Sequence, residues 1–213
     1  MVGASLNTLY VFAYVGRGPI IEITKMLRHL RLVFSTTEKE DIHMGQNNVI
    51  FTQIAFRPAR KLILRRSKNA DHYFAYLEEV GSGKGENSAA WDVLEKIQEA
   101  LYEPVGLWLP ENLRPEGTGT YAHGVEVASD FAGEIPSGFD VIELPACQFI
   151  VFQGEPYDDE DYQNAVGRCG AQIVKFNPEV YGYQYAPELA PRMQLKPEGW
   201  RGYIEMLPVR DLE

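Results

Sequence analysis

The period of the hydrophobic pattern changes several times along this chain, and each change marks an element. In "PIIEITKMLRHLRLVFS" apolar residues fall at Ile20, Ile23, Met26, Leu27, Leu30 and Phe34, with Lys25, Arg28 and Arg31 between them. That spacing predicts one basic amphipathic helix. The polar stretch "TTEKEDIHMGQNN" follows and reads as a linker. A boundary near Met44 divides the chain into an N-terminal extension, residues 1–43, and a larger domain, residues 44–213. "NVIFTQIAFRPARKLILRR" reads as two strands interrupted by Pro58. A short helix is expected from about Ala70 to Glu79. "SAAWDVLEKIQEALYE" predicts a longer one, with Ser88 as its cap and Trp91, Leu94, Ile97, Ala100 and Leu101 on one face. "VGLWLPENL" and "GTYAHGVEVAS" read as strands, and "FDVIELPACQFIVFQG" as a strand pair bent at Pro145. "DDEDYQNAVGRCGAQIVKF" reads as a helix with an acidic first turn, and "PRMQLKPEGWRGYIEMLPV" as a closing hairpin.

The second domain repeats itself. "PARKLIL" at Pro58 matches "PACQFIV" at Pro145, and each is followed by a helix and two strands. The last strand of each half, "HGVEVA" and "GYIEMLPV", carries a Glu between apolar residues, Glu126 and Glu205. The expected fold is therefore α+β: two tandem strand–helix–strand–strand units in a pseudo-twofold arrangement. Their antiparallel sheet is expected to carry its helices on one side.

Composition narrows the partners. A net charge of −10 argues against a nucleic-acid surface as the chain's main business and favours cationic or neutral ligands. The two cysteines, Cys147 and Cys169, read as reduced core thiols, and no stretch has the length of a membrane span. The expected location is the cytoplasm, with no membrane partner; a homodimer is left open.

Candidate chemistry centres on Glu205, a carboxylate inside an apolar strand. An unpaired charge there is costly, so Glu205 either faces water or lines a site. Tyr203 shares its face, because strand residues two apart point the same way. Its only basic neighbour nearby in sequence is Arg201. Glu126 is taken as its counterpart in the first half. Trp108, Tyr121, Phe152, Tyr181, Tyr183 and Tyr185 lie on or beside predicted strands and can supply an aromatic wall. No cofactor or metal is expected. "EPYDDEDYQ" lacks the spacing of a calcium loop, "GSGKGE" lacks the Ser or Thr of a phosphate loop, and the four histidines are scattered. No catalytic triad is recognisable.

Three stretches carry a family resemblance: "YFAYLEEVGS", "GVEVASDFAGEIPSGFDVIELPACQFIVFQGEPYDDEDY" and "YGYQYAPELAPRMQLKPEGWRGYIEMLPV". Residues 48 to 210 resemble the GyrI-like effector-binding domain, in the version fused behind AraC-type transcription regulators. The resemblance implies a fold of two tandem units. It also implies small-molecule binding, often of lipophilic cations in multidrug-binding members, in a groove between the halves. The ligand-binding residues then expected are Glu205, Tyr203, Gln194, Trp108, Tyr121, Glu126, Phe152 and Tyr183. Two departures stand out. Residues 1–43 are too few for the paired helix-turn-helix of such regulators, so they read as a remnant of a DNA-binding region, and sequence-specific DNA binding by this chain alone is not expected. Gln194 stands where many drug-binding members have a Glu. Two alternatives stay open: a GyrI-like hydrolase of reactive electrophiles using a pocket Glu as base, and an inhibitor of a protein target.

Overall fold

The computed structural model describes residues 49–81 and 90–213. The N-terminal helix, the boundary near Met44 and the Ser88 cap lie outside them.

The described residues form a nine-stranded antiparallel sheet. Its strands are β1 (Ile50–Arg57), β2 (Arg60–Arg66), β3 (Val105–Trp108), β4 (Tyr121–Ala128), β5 (Asp140–Leu144), β6 (Cys147–Gly154), β7 (Tyr183–Tyr185), β8 (Arg192–Leu195) and β9 (Ile204–Asp211). The helices are α1 (Tyr73–Val80), α2 (Ala90–Leu94) and α3 (Tyr162–Lys175). The fold class is α+β, as the pattern predicts.

The strand order is β1-β6-β9-β8-β3-β4-β2-β5, with β7 on the side of β9. Read from either end, this order pairs the two halves: β6, β9 and β8 answer β2, β4 and β3. The central pair is β3 with β8, where Gly106 faces Gln194. Pro58 and Pro145 occupy equivalent corners. The flanking strands are exchanged: β1 precedes β2 in sequence but pairs with β6, while β5 precedes β6 but pairs with β2. Each Pro-Ala corner makes this possible, since proline lacks an N–H for the ladder and fixes φ.

One side chain ties both corners together. Arg60 Nη1 donates to the carbonyls of Pro58 (3.1 Å) and Pro145 (3.0 Å). Its Nε forms a buried ion pair with Glu126. Arg57 stands 3.8 Å from the same carboxylate.

Alternation along the strands separates two cores. Leu62, Leu64, Leu107, Phe149, Met193 and Met206 form one, with Ala55 of β1, Ile142 of β5, Leu113 and Leu189 packed against it. The other face carries the helices. Phe152, Tyr203 and Val209 pack with Ala165 and Cys169 of α3, while Ile63, Val125 and Val127 pack with Leu94 of α2. Tyr121 packs with Tyr76 of α1. Both cysteines are buried and free.

The long helix expected after Ser88 is instead short. α2 ends at Leu94, because the sheet takes the chain back: Ala100 bridges to Val127 and Leu101 N–H donates to Glu126 O at 2.8 Å. Tertiary pairing overrides helix propensity here.

Candidate functional site

A cross-sheet row defines the site. In register, Phe152, Glu205, Gln194, Gly106, His123 and Arg65 lie side by side from β6 to β2. Arg65 and Phe152 stand at the same step after their Pro-Ala corners. The pseudo-twofold therefore matches His123 to Glu205, and Tyr121 to Tyr203. Glu126 is not the counterpart of Glu205: it lies on the opposite face of β4 and is consumed by Arg60. Glu126, expected among the ligand-binding residues, does not line the cavity at Glu205.

α1 and α3 cover the two halves and leave a cavity of about 320 Å³ over the centre of the sheet. Its floor carries Gln194, Tyr203 and Glu205; Trp108 and Arg192 flank it; Tyr73, Phe74, Tyr162 and Val166 form its walls. This size lies at the lower end of small-molecule sites.

Glu205 is only 2 % exposed, yet it is not an orphan charge. Tyr203 Oη donates to its Oε1 at 2.8 Å, and Arg192 Nε donates to Oε2 at 2.7 Å. Burial and then the Glu205 charge hold the Tyr203 phenol far above its ordinary range, so it remains a donor. Tyr203 also reaches Gln194 Oε1, at 3.1 Å. The guanidinium of Arg192 lies 4.8 Å from the Trp108 ring centre, within cation–π range. The expected neighbour Arg201 is elsewhere, pairing with Glu103 at 2.7 and 2.8 Å.

The structure thus brings Glu205, Tyr203, Gln194 and Trp108 around one cavity. Tyr121 lies beneath it, buried, with its ring 5.0 Å from that of Trp108. Phe152 is core, edge-on to Phe176, and Tyr183 packs in the same apolar cluster, away from the cavity. Sequence reasoning passed over Arg192, Tyr73 and Tyr162. Arg192 had a signal: two residues before Gln194 on one strand, it shares that face and sits diagonally from Glu205. Tyr73 and Tyr162 arrive by helix docking and left no local signal.

His123, the mate of Glu205, is 2 % exposed, and neither ring nitrogen has a hydrogen-bond partner among the described residues. Burial pushes its imidazole from 6.5 down to about 3. The folded protein therefore holds it neutral where the unfolded chain would protonate it. Stability is full above pH 6.5 and is lost as pH falls towards 3. Between pH 7 and pH 5 the loss is about 2 kcal/mol. Urea midpoints at the two pH values should show it, and the drop should vanish in His123→Phe. An equal drop in the variant would assign the effect to other groups.

The fold and cavity define an α+β tandem-repeat domain with a ligand-sized site on its central strands. No family model matches the chain, and no curated protein does. Among solved structures it is similar to SAV2435 bound to tetraphenylphosphonium, at 17% identity over 75% of this chain and 94% of that one, with a TM-score of 0.46. It is similar also to the C-terminal domain of EcmrR, at 11% identity over 77% of this chain and 99% of that one, TM-score 0.46. An integron cassette protein of Vibrio cholerae shares 10% identity over 78% of this chain and 100% of its own, TM-score 0.37.

Proposed function

We propose that residues 49–213 act as a small-molecule-sensing effector-binding domain, of the kind attached to transcription regulators, and that the Glu205 cavity takes a lipophilic cation. The observation that carries this reading is Arg192. Its guanidinium stands against the Trp108 ring and on the Glu205 carboxylate, which is the place and the chemistry a flat or shielded cation would use. The side chain of Arg192 is 41% exposed, so it can return to water while a ligand takes over the carboxylate. Tyr73, Tyr162 and Trp108 then supply apolar and aromatic surface. Gln194 contributes hydrogen bonding without charge.

Arg192→Ala should bind methyltriphenylphosphonium about tenfold more tightly than wild type, because the internal competitor is gone; tenfold corresponds to about 1.4 kcal/mol. Titration calorimetry reads this directly. Weaker binding in the variant would show that Arg192 supports the ligand by packing and does not compete with it for Glu205, and would overturn this reading. By this reading the chain does not recognise a DNA sequence by itself, and a shift assay at physiological salt should show no preference for one sequence over random DNA.

A further inference from the structure

The pseudo-twofold places a second cavity, of about 280 Å³, over His123 in the first half. It lies beside the Glu205 cavity, and Tyr73 and Gln194 line both. The two differ in what their polar groups lack. In the second half Tyr203 and Glu205 satisfy each other, with Arg192 and Gln194 completing the set. In the first half Tyr121 Oη and both nitrogens of His123 are buried without a partner among the described residues. The cause is local. Gly106 stands opposite Gln194 and offers no side chain; an added Cβ there would come within 2.1 Å of Tyr121 Oη. The first half thus has no counterpart of the Gln194 amide.

Buried polar groups are normally paired, and an unpaired one at a cavity wall is a place where a ligand gains by supplying the partner. His123 lines this cavity. Aromatic rings surround it, with centres at 4.3 Å for Tyr76, 5.0 Å for Trp91, 5.6 Å for Tyr121 and 6.0 Å for Tyr73. Among the described residues no carboxylate lines the cavity. Its one cationic lining residue among those described, Lys196, is paired with Glu95 at 3.4 Å and Glu198 at 3.9 Å. The chemistry therefore differs from that of the Glu205 cavity: aromatic walls, no carboxylate among the described lining residues, and one neutral imidazole that can both donate and accept.

We propose that the cavity over His123 is a second ligand site, which takes an uncharged planar aromatic molecule bearing a hydroxyl group and anchors that hydroxyl on the His123 ring. The two halves then share one architecture and differ in ligand class, a cation at Glu205 and a neutral phenol-like molecule at His123.

The test uses the full chain with 2-naphthol, and naphthalene as the analogue without the hydroxyl. Wild type should bind 2-naphthol with a Kd below millimolar. His123→Phe, which keeps a ring in place, should weaken 2-naphthol tenfold or more and leave naphthalene within about twofold. Glu205→Gln should leave 2-naphthol unchanged, which separates this site from the cation site, whose own failure would appear only with the phosphonium probe. Should His123→Phe not fold, ring-¹⁵N-histidine-labelled wild type gives the same answer, since the ring signal that stays neutral down to pH 5 should move as 2-naphthol is added. An unmoved signal, equal binding of 2-naphthol by His123→Phe, or equal losses in the His123 and Glu205 variants would overturn the proposal.

Discussion

Glu126→Ala is expected to destabilise the protein by about 3–5 kcal/mol, with no ligand present. The Arg60 side chain is fully buried, and Glu126 is its carboxylate partner. Removing that partner leaves an uncompensated guanidinium in the core. That same guanidinium holds the carbonyls of both Pro-Ala corners, where the exchanged strands cross. Its displacement would loosen both halves at once. Replacing the pair together, as Arg60→Met with Glu126→Leu, should recover most of the loss, because the cost lies in the orphaned charge more than in the missing attraction. Urea denaturation of the three variants measures this. A loss below about 1 kcal/mol in Glu126→Ala would show that the pair is solvated and does not secure the crossover.

The tandem architecture was legible because its signals are local. Strand alternation, the two Pro-Ala corners and the order of elements after each can all be read along the chain. The exchange of β1 and β5 was not, since pairing partners are chosen by the whole sheet. The site was half legible. Tyr203 and Glu205 share a strand face, and Gln194 and Trp108 lie on strands that meet them in the sheet. The slip came in matching the halves. Aligning Glu126 with Glu205 follows residue identity, whereas the register aligns Tyr121-Ala122-His123 with Tyr203-Ile204-Glu205. That slip is odd in length, and an odd slip moves every side chain to the other face of a strand. It put Glu126 in the groove and hid His123. The same limit applies to Arg192. Its ion pair with Glu205 depends on the β8–β9 register, and sequence distance pointed to Arg201 instead.

Glu205→Gln should weaken a lipophilic cation by tenfold or more. The carboxylate is the one negative group lining the cavity among the described residues. It is buried, so its attraction for a cation is little screened. Losing a buried charge partner removes on the order of 2–5 kcal/mol of binding. The variant also leaves Arg192 beside the cavity without its counter-charge, which opposes a second cation further. A neutral ligand of similar shape depends on burial against Tyr73, Tyr162 and Trp108 and loses nothing of that. The most direct measurement is titration calorimetry of wild type and Glu205→Gln with methyltriphenylphosphonium and with triphenylphosphine oxide, its near-isosteric neutral counterpart. The expected result is a loss of at least tenfold for the phosphonium and less than about twofold for the oxide. Equal losses for both ligands, or no loss for either, would contradict the assignment of Glu205 as the cation-binding group.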